Sequence, residues 1–390
     1  MAPTIVYLAG FRQHAGKTVT ALGIISRLRT RMDPARIAYL KPVGQELAIL
    51  PDGSRIDKDA PLMKEFAGIP DLDLKFVSPV RLGTGFTQEY LDSTDHRQGT
   101  RDLQDEIIRC LDSLSRKDVI IAEGTGHPGV GGIVGLSNAD VANLMGASVV
   151  FLSGGGIGKA LDMLEVDLSY FLYKKCRVRG ILFNKVIPDK ISSMAHYITE
   201  DLLNDKYGAF GGPLRILGFL PEIGDLGRPS MRTILERYDK SEPLWPPEGP
   251  SWQFPCNQTR IISADADSLK VEEYLMPRDV VILAASSRRR ARKVIEYHMR
   301  ADAKFPLGGL VLTCGKTDNL DAGVREEIVA SRLPALLVKD DTAIAEQRIL
   351  EIYENTKLQT YDSSKVAEIE EMFERHFKTD LFMETFRIGV

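Results

Sequence analysis

The stretch Gly10-Phe11-Arg12-Gln13-His14-Ala15-Gly16-Lys17-Thr18 decides how the first half of this chain is read. An apolar, strand-length run, Thr4 to Ala9, leads into it, and a helical pattern from Val19 to Thr30 leads out. Strand, glycine-bounded loop and helix in that order make a phosphate-binding P-loop. The common form has glycine where this chain has Phe11. Here glycine comes one position earlier, at Gly10, so the loop is one residue longer. Gly16 lets the backbone curl so that its N–H groups point at phosphate. Lys17 reaches the outer phosphates, Thr18 is placed to ligate magnesium, and the helix opening at Val19 presents its positive end. A second Gly-Lys-Thr, in Gly309-Leu-Val-Leu-Thr-Cys-Gly315-Lys316-Thr317, has the same spacing. The residues between its glycines read as a strand, which cannot wrap a phosphate.

Outward from the loop, short β-rich runs alternate with amphipathic helical patterns. Thr4–Ala9, Ile37–Leu40, Val119–Ala122, Ser148–Leu152, Gly180–Phe183 and Ile216–Phe219 read as buried strands. Val19–Thr30, Leu103–Ser113, Asn138–Met145 and Lys159–Lys174 read as helices. Such alternation predicts an α/β fold with a mostly parallel sheet, a P-loop NTPase domain whose ligands lie at the carboxyl ends of the strands. The segment from Ser241 to Gln258 carries five prolines, at 243, 246, 247, 250 and 255, and reads as a linker. Beyond it, Arg260–Ser263, Val280–Ala284, Leu310–Thr313 and Ala335–Val338 read as strands of a smaller α/β domain. The expected organisation is a nucleotide-binding domain over 1–240, a linker over 241–257 and a second domain over 258–390.

Composition limits the function. Hydrophobic residues make up 44% and charged residues 27%, as in soluble globular proteins. A net charge of −4 gives no electrostatic case for a nucleic-acid or membrane surface as the main partner. The four cysteines, at 110, 176, 256 and 314, are far apart and form no CxxC pair, which speaks against a zinc ribbon or a disulfide scaffold. No window reaches the roughly 18 apolar residues of a membrane helix, and Thr4–Ala9 has no basic leader. A cytoplasmic protein with no nucleic-acid and no membrane partner is expected.

Magnesium needs hard oxygen ligands near the phosphates. Val119-Ile-Ile-Ala-Glu123-Gly124-Thr125-Gly126 is an apolar strand ending in an acid, and that acid needs a partner. Arg55-Ile-Asp57-Lys-Asp59 offers two more carboxylates, which alone read as a solvated turn. Lys41 ends the second strand and so shares the edge with Lys17. Two lysines and two or three carboxylates on one rim suit a magnesium nucleotide.

Taken in order, these segments resemble dethiobiotin synthetase and the related N-terminal domain of some long phosphate acetyltransferases. The resemblance runs from Gly10 to about Ser230. It rests on Gly16-Lys17-Thr18, Lys41-Pro42-Val43, Lys58-Asp59-Ala60, Glu123-Gly124-Thr125-Gly126, Gly180-Ile-Leu-Phe-Asn184 and Leu217-Gly-Phe-Leu-Pro221. It implies that ATP lies against Gly10, Arg12, Gln13, His14, Ala15, Gly16, Lys17, Thr18 and Val19, with Asn184 touching the adenine. It implies that Lys17 and Lys41 act on the phosphates and the reacting group, that Thr18, Asp59 and Glu123 hold Mg²⁺, and that the protein is a homodimer. From Gln258 onward the chain resembles the DRTGG domain of the long phosphate acetyltransferases, although the namesake motif is not intact. Their transacetylase domain has no counterpart before Val390, so that activity is not expected.

One departure matters. Dethiobiotin synthetase carries acids inside the P-loop for its amine substrate, and this chain has Arg12, Gln13 and His14 there. The second-strand loop, Ser78-Pro-Val-Arg-Leu-Gly-Thr-Gly-Phe-Thr-Gln-Glu-Tyr, also differs. ATP and magnesium carry over, but the diaminopelargonate substrate does not. A basic, polar loop suits an anion better. Two functions stay open: an ATP-dependent ligase-type enzyme, or a nucleotide-binding regulatory module signalling through the C-terminal domain. His14 and His127 either face the site or bond their own loops. Ser153-Gly-Gly-Gly-Ile-Gly-Lys159 is a second glycine-rich turn. The basic helix start Arg288–Lys293 opposes the helix dipole, and reads either as an anion site capped by Ser286 or Ser287 or, more simply, as a solvated face or subunit contact.

Overall fold

The computed structural model describes residues 2–49, 53–208, 212–263, 270–300, 307–315 and 320–389. The chain forms two compact units, Met1–Glu222 with Val366–Val390, and Ile223–Lys365. The fold is α/β, and each unit is built on its own largely parallel sheet.

Among the described residues, the first unit's main sheet has six parallel strands: β1 (Thr4–Gly10), β2 (Ile37–Leu40), β3 (Val119–Glu123), β4 (Ser148–Gly154), β5 (Arg177–Val186) and β6 (Arg215–Pro221). Their order is β6-β5-β4-β1-β3-β2. Each of the six runs read as strands from the sequence is present. Strand β1 lies in the middle because Val6, Leu8 and Ala9 are fully buried and need cover on both faces. The chain visits β2 and β3 on one side of β1 and then crosses to β4 on the other. That reversal opens a crevice at the carboxyl ends of the strands. Register sets what lines it: Leu8 pairs with Glu123, Leu40 with Ala122, and Gly10 with Leu152. Gly10, Lys41 and Glu123 therefore emerge along one edge.

From Val366 onward the C-terminal helices, Ser363–His376 and Thr379–Phe386, belong to the first unit. Phe373 packs against Gly23 of α1 (Lys17–Arg29), where a Cβ would overlap its ring. Phe377 bridges to Gly218 of β6. This differs from the sequence expectation, which gave these residues to the second domain. Amphipathic helices declare that they have an apolar face, but not which surface it meets.

The second unit has β7 (Glu242–Pro243), β8 (Thr259–Ile261), β9 (Val280–Ala284), β10 (Gly309–Thr313) and β11 (Ala335–Leu337), in the order β7-β11-β10-β9-β8. The proline-rich stretch is structural rather than a free linker. Strand β7 pairs antiparallel with β11 at the sheet edge, where proline's missing N–H costs no ladder bond. Trp252 is fully buried, and Trp245 donates its indole N–H to the Leu333 carbonyl at 2.7 Å. In the second Gly-Lys-Thr, Gly309–Thr313 is indeed strand β10, while Lys316 and Thr317 lie outside the described residues. The basic turn of the Arg288–Arg300 helix is offset by acids of a neighbouring helix and its cap. Arg288 meets Asp321 at 3.1 Å, and Arg292 meets Glu327 at 3.0 Å.

Helix Ile157–Tyr173 carries a half-buried carboxyl, Asp167, lining a cleft with Phe11, Met163 and Val166. Burial pushes its pKa up to about 6. The folded state therefore keeps a proton that the unfolded chain, with an ordinary value of about 3.9, releases earlier. Stability falls as pH rises through the window between them and stays lowered above it. Asp167→Asn is expected to raise the thermal midpoint at pH 8 and leave it unchanged near pH 4. Equal midpoints for variant and wild type at pH 8 would reject this account.

Candidate functional site

The P-loop is shaped by close approaches that only small residues permit. Gly16 sits in the left-handed region, at φ 89°, and a Cβ there would overlap Asn184 Nδ2. Asn184 ends β5's buried run, and its Nδ2 donates to the Ala15 carbonyl at 2.9 Å. Asn184 thus braces the P-loop backbone from beneath. Its own carbonyl lies where a Cβ on Gly154 would fall, so part of the second glycine-rich turn serves tight strand packing. His14 is also left-handed, at φ 60°. The helix α1 begins at Lys17 with no side-chain cap and no acid in its first turn. Its N-terminal N–H groups and positive dipole end are left for an anion.

Arg12, Gln13 and His14 are exposed along the loop, while Ala15 is buried. Arg12 stacks its guanidinium 5.1 Å above the Phe11 ring, and Gln13 donates to Glu46 at 3.0 Å. Val19, half-buried, lies in the first turn of α1.

Lys17 is buried, and its Nζ donates to the Gly126 carbonyl at 2.8 Å and the Arg12 carbonyl at 3.1 Å. Burial lowers its pKa to about 8, Glu123 and Asp59 pull it back up, and Lys41 presses it down. A polyphosphate would restore the charge. The loop delivering Gly126 is pinned by Asn138, itself buried. Asn138 Oδ1 accepts from the Tyr7 hydroxyl and the Thr125 N–H, each at 2.9 Å, and its Nδ2 donates to the Thr125 and His127 carbonyls at 2.7 Å. His127 is exposed and its Nδ1 accepts from the Gly129 N–H at 3.2 Å, so it bonds its own loop.

Glu123 is the acid that a buried strand end cannot leave unpartnered, and both of its oxygens are engaged. The Thr18 hydroxyl donates to Oε1 at 2.8 Å and the Tyr39 hydroxyl to Oε2 at 2.7 Å. Burial raises its pKa to about 7, against the pull of Lys41. Lys41 is held by Asp57 at 2.9 Å and by Asp59 in close contact. Burial alone would discharge this ammonium, but Glu123, Asp59 and Asp57 together outweigh it and hold its pKa above the ordinary value. Asp59 starts the helix Asp59–Phe66.

The sequence-read residues Lys17, Thr18, Lys41, Asp59 and Glu123 thus meet on one edge, with Asn184 under the loop. Tyr39, Asn138 and the structural part of Asp57 went unread. Tyr7 and Tyr39 carried a usable signal: a phenol inside an apolar parallel strand needs a partner for its hydroxyl. The donors suit magnesium with a nucleotide. They are hard oxygens, from the Thr18 hydroxyl and the Asp59 and Glu123 carboxylates. Magnesium sites of this kind use one or two carboxylates and complete their shell with phosphate and water.

Residues 4–230 match the family AAA_26, an AAA domain. The chain belongs to that family. It is a nucleotide-binding P-loop protein, and the family implies magnesium with the nucleotide. No curated protein matches the chain. Among solved structures it is similar to an apo-form GTPase from Pyrococcus abyssi, at 16% identity and TM-score 0.33, covering 57% of this chain and 92% of that one. It is similar to a ParA family ATPase from Chlorobium tepidum TLS, at 14% identity and TM-score 0.31, covering 58% and 86%. The signal recognition particle receptor FtsY from Elizabethkingia anophelis matches at 13% identity and TM-score 0.28, covering 47% and 50%. No helix among the described residues is long and apolar enough to cross a membrane.

Proposed function

We propose that this AAA_26 protein is a Mg–ATP-dependent enzyme of the ligase type, activating a small carboxylate or carbamate by phosphoryl transfer. The observation that supports it most is Lys41, a second buried ammonium on the P-loop rim, held by Asp57 and Asp59. Holding a nucleotide needs Lys17 and the loop backbone. A second lysine kept charged at the same edge suits a group on which charge moves.

In this reading the loop from Gly10 to Val19 wraps the phosphates, Lys17 leaves its two carbonyls for the outer phosphates, and Asn184, which braces the Ala15 carbonyl, would also touch the adenine. Thr18, Asp59 and Glu123 would hold Mg²⁺, which neutralises phosphate charge when bound. An oxygen of the substrate forms a bond to the γ-phosphorus while the bond to the β–γ bridging oxygen breaks, its electron pair leaving with ADP. Lys41 steadies the transferring group, and Arg12, Gln13 and His14 favour an anionic acceptor. A cytoplasmic homodimer is part of the same proposal.

The second unit, with its own sheet and core, favours an alternative: a nucleotide-dependent regulatory module acting through a DRTGG-like domain. Steady-state ATP hydrolysis, with and without bicarbonate and pooled small carboxylates, separates the two. Turnover that rises with one of these additions is expected. Tight ATP binding without turnover under every condition would sink the enzyme and leave the module.

A further inference from the structure

We infer that Asp57 is the positioning residue of this site: it holds Lys41 in place so that Asp59 is free to turn to the metal. The inference rests on the Mg–ATP reading above. The Asp57 side chain is fully buried. Its Oδ1 accepts twice, from Lys41 Nζ at 2.9 Å and from the Asp59 backbone N–H at 2.9 Å. Its Oδ2 is buried and has no hydrogen-bond partner among the described residues. Gly44 closes the space beside it, since a Cβ there would come 2.8 Å from Oδ2.

A buried carboxylate with an idle oxygen is a poor choice for stability alone. It makes sense where one oxygen has two tasks that must stay registered. Lys41 has two carboxylate partners of different kinds. Asp57 is wholly enclosed and offers a fixed oxygen. Asp59 stands at a helix start with its side chain about a quarter exposed, at 24%. When magnesium arrives with a nucleotide, Asp59 can leave Lys41 without stranding a buried ammonium, because Asp57 remains. The same Oδ1 fixes the Asp59 backbone, so the metal-facing carboxylate pivots from a set point. Outer-shell partners of this kind orient the ligands that touch the ion.

The test is equilibrium binding of ATP to the full chain over a magnesium titration, and again in EDTA. Asp57→Asn keeps an acceptor for the Asp59 N–H but removes the charge facing Lys41. It is expected to raise the magnesium concentration for half-maximal effect by about tenfold or more, while ATP binding in EDTA stays unchanged. Asp57→Glu is expected to be impaired as well, because Gly44 leaves no room for a longer side chain. In the Lys41→Met background, Asp57→Asn is expected to add no further loss, because the two residues act as a unit.

A magnesium dependence in Asp57→Asn equal to wild type would overturn the inference, as would losses that simply add in the double variant. If Asp57→Asn unfolds alone, Lys41→Met with Asp57→Asn should recover folding, since both charges then go together. Failure to recover it also overturns the inference. A wild-type chain that binds no Mg–ATP would instead reject the nucleotide reading itself.

Discussion

Lys17→Ala is expected to lower ATP-dependent turnover by about a hundred- to a thousand-fold, the loss seen when one well-placed donor to a developing charge is removed. The geometry argues for the upper end. Lys17 is buried and lies within electrostatic reach of Glu123, Asp59 and Lys41. Its removal takes away a phosphate donor and also leaves the two carboxylates less compensated. The incoming polyphosphate would then meet net negative charge at the place where it most needs positive. Lys17→Arg is expected to recover little, because a planar fork does not fit a pocket shaped for a point charge between the Arg12 and Gly126 carbonyls. Calorimetric titration with Mg–ATP and phosphate-release assays check both variants. Retention of wild-type affinity and rate by Lys17→Ala would reject the assignment of the loop.

How much of this site could be read from the residues depended on the range of each interaction. Gly16, Lys17 and Thr18 lie within one local turn, and their placement follows from strand, loop and helix in sequence. Lys41 and Glu123 were readable because each ends an apolar strand, where a charge has few places to go but the sheet's ligand edge. What holds them was not readable. The Gly126 carbonyl that receives Lys17 is separated from it by 109 positions, and Tyr39 from Glu123 by 84. Asp57 looks like a turn acid, and only the Lys41 contact and the Gly44 wall make it a buried fixture. The proline-rich stretch misled for a related reason. Proline reports the absence of an N–H donor, but it does not report that Trp245 and Trp252 supply enough apolar bulk to anchor the segment in a core.

The C-terminal helices show the same limit and carry the largest expected effect on stability. Phe373→Ala should destabilise the first unit by about 3–5 kcal/mol, the usual cost of emptying a buried phenylalanine site. Phe373 is fully buried and heads a run of rings, Phe373 to Phe377 at 5.4 Å, Phe377 to Phe382 at 5.4 Å and Phe382 to Phe386 at 4.9 Å. The rim ion pairs, Arg29–Glu370 at 2.9 Å and Arg31–Asp380 at 3.0 Å, are partly or largely exposed and contribute at most about 1 kcal/mol each. The rings therefore hold the segment, and the charges orient it. Gly23→Ala makes a sharper test because two effects oppose. Alanine is the better helix former by about 1 kcal/mol, yet its Cβ would overlap the Phe373 ring. Overpacking costs about 1–3 kcal/mol and should win. Gly23→Ala in the Phe373→Ala background removes that clash, so there the same substitution is expected to stabilise. Urea unfolding of the four proteins measures the cycle, and a stabilising Gly23→Ala in the wild-type chain would show that Phe373 does not seat on α1. Because α1 also carries Lys17 and Thr18, saturating Mg–ATP should return part of the loss in Phe373→Ala by binding only the folded form.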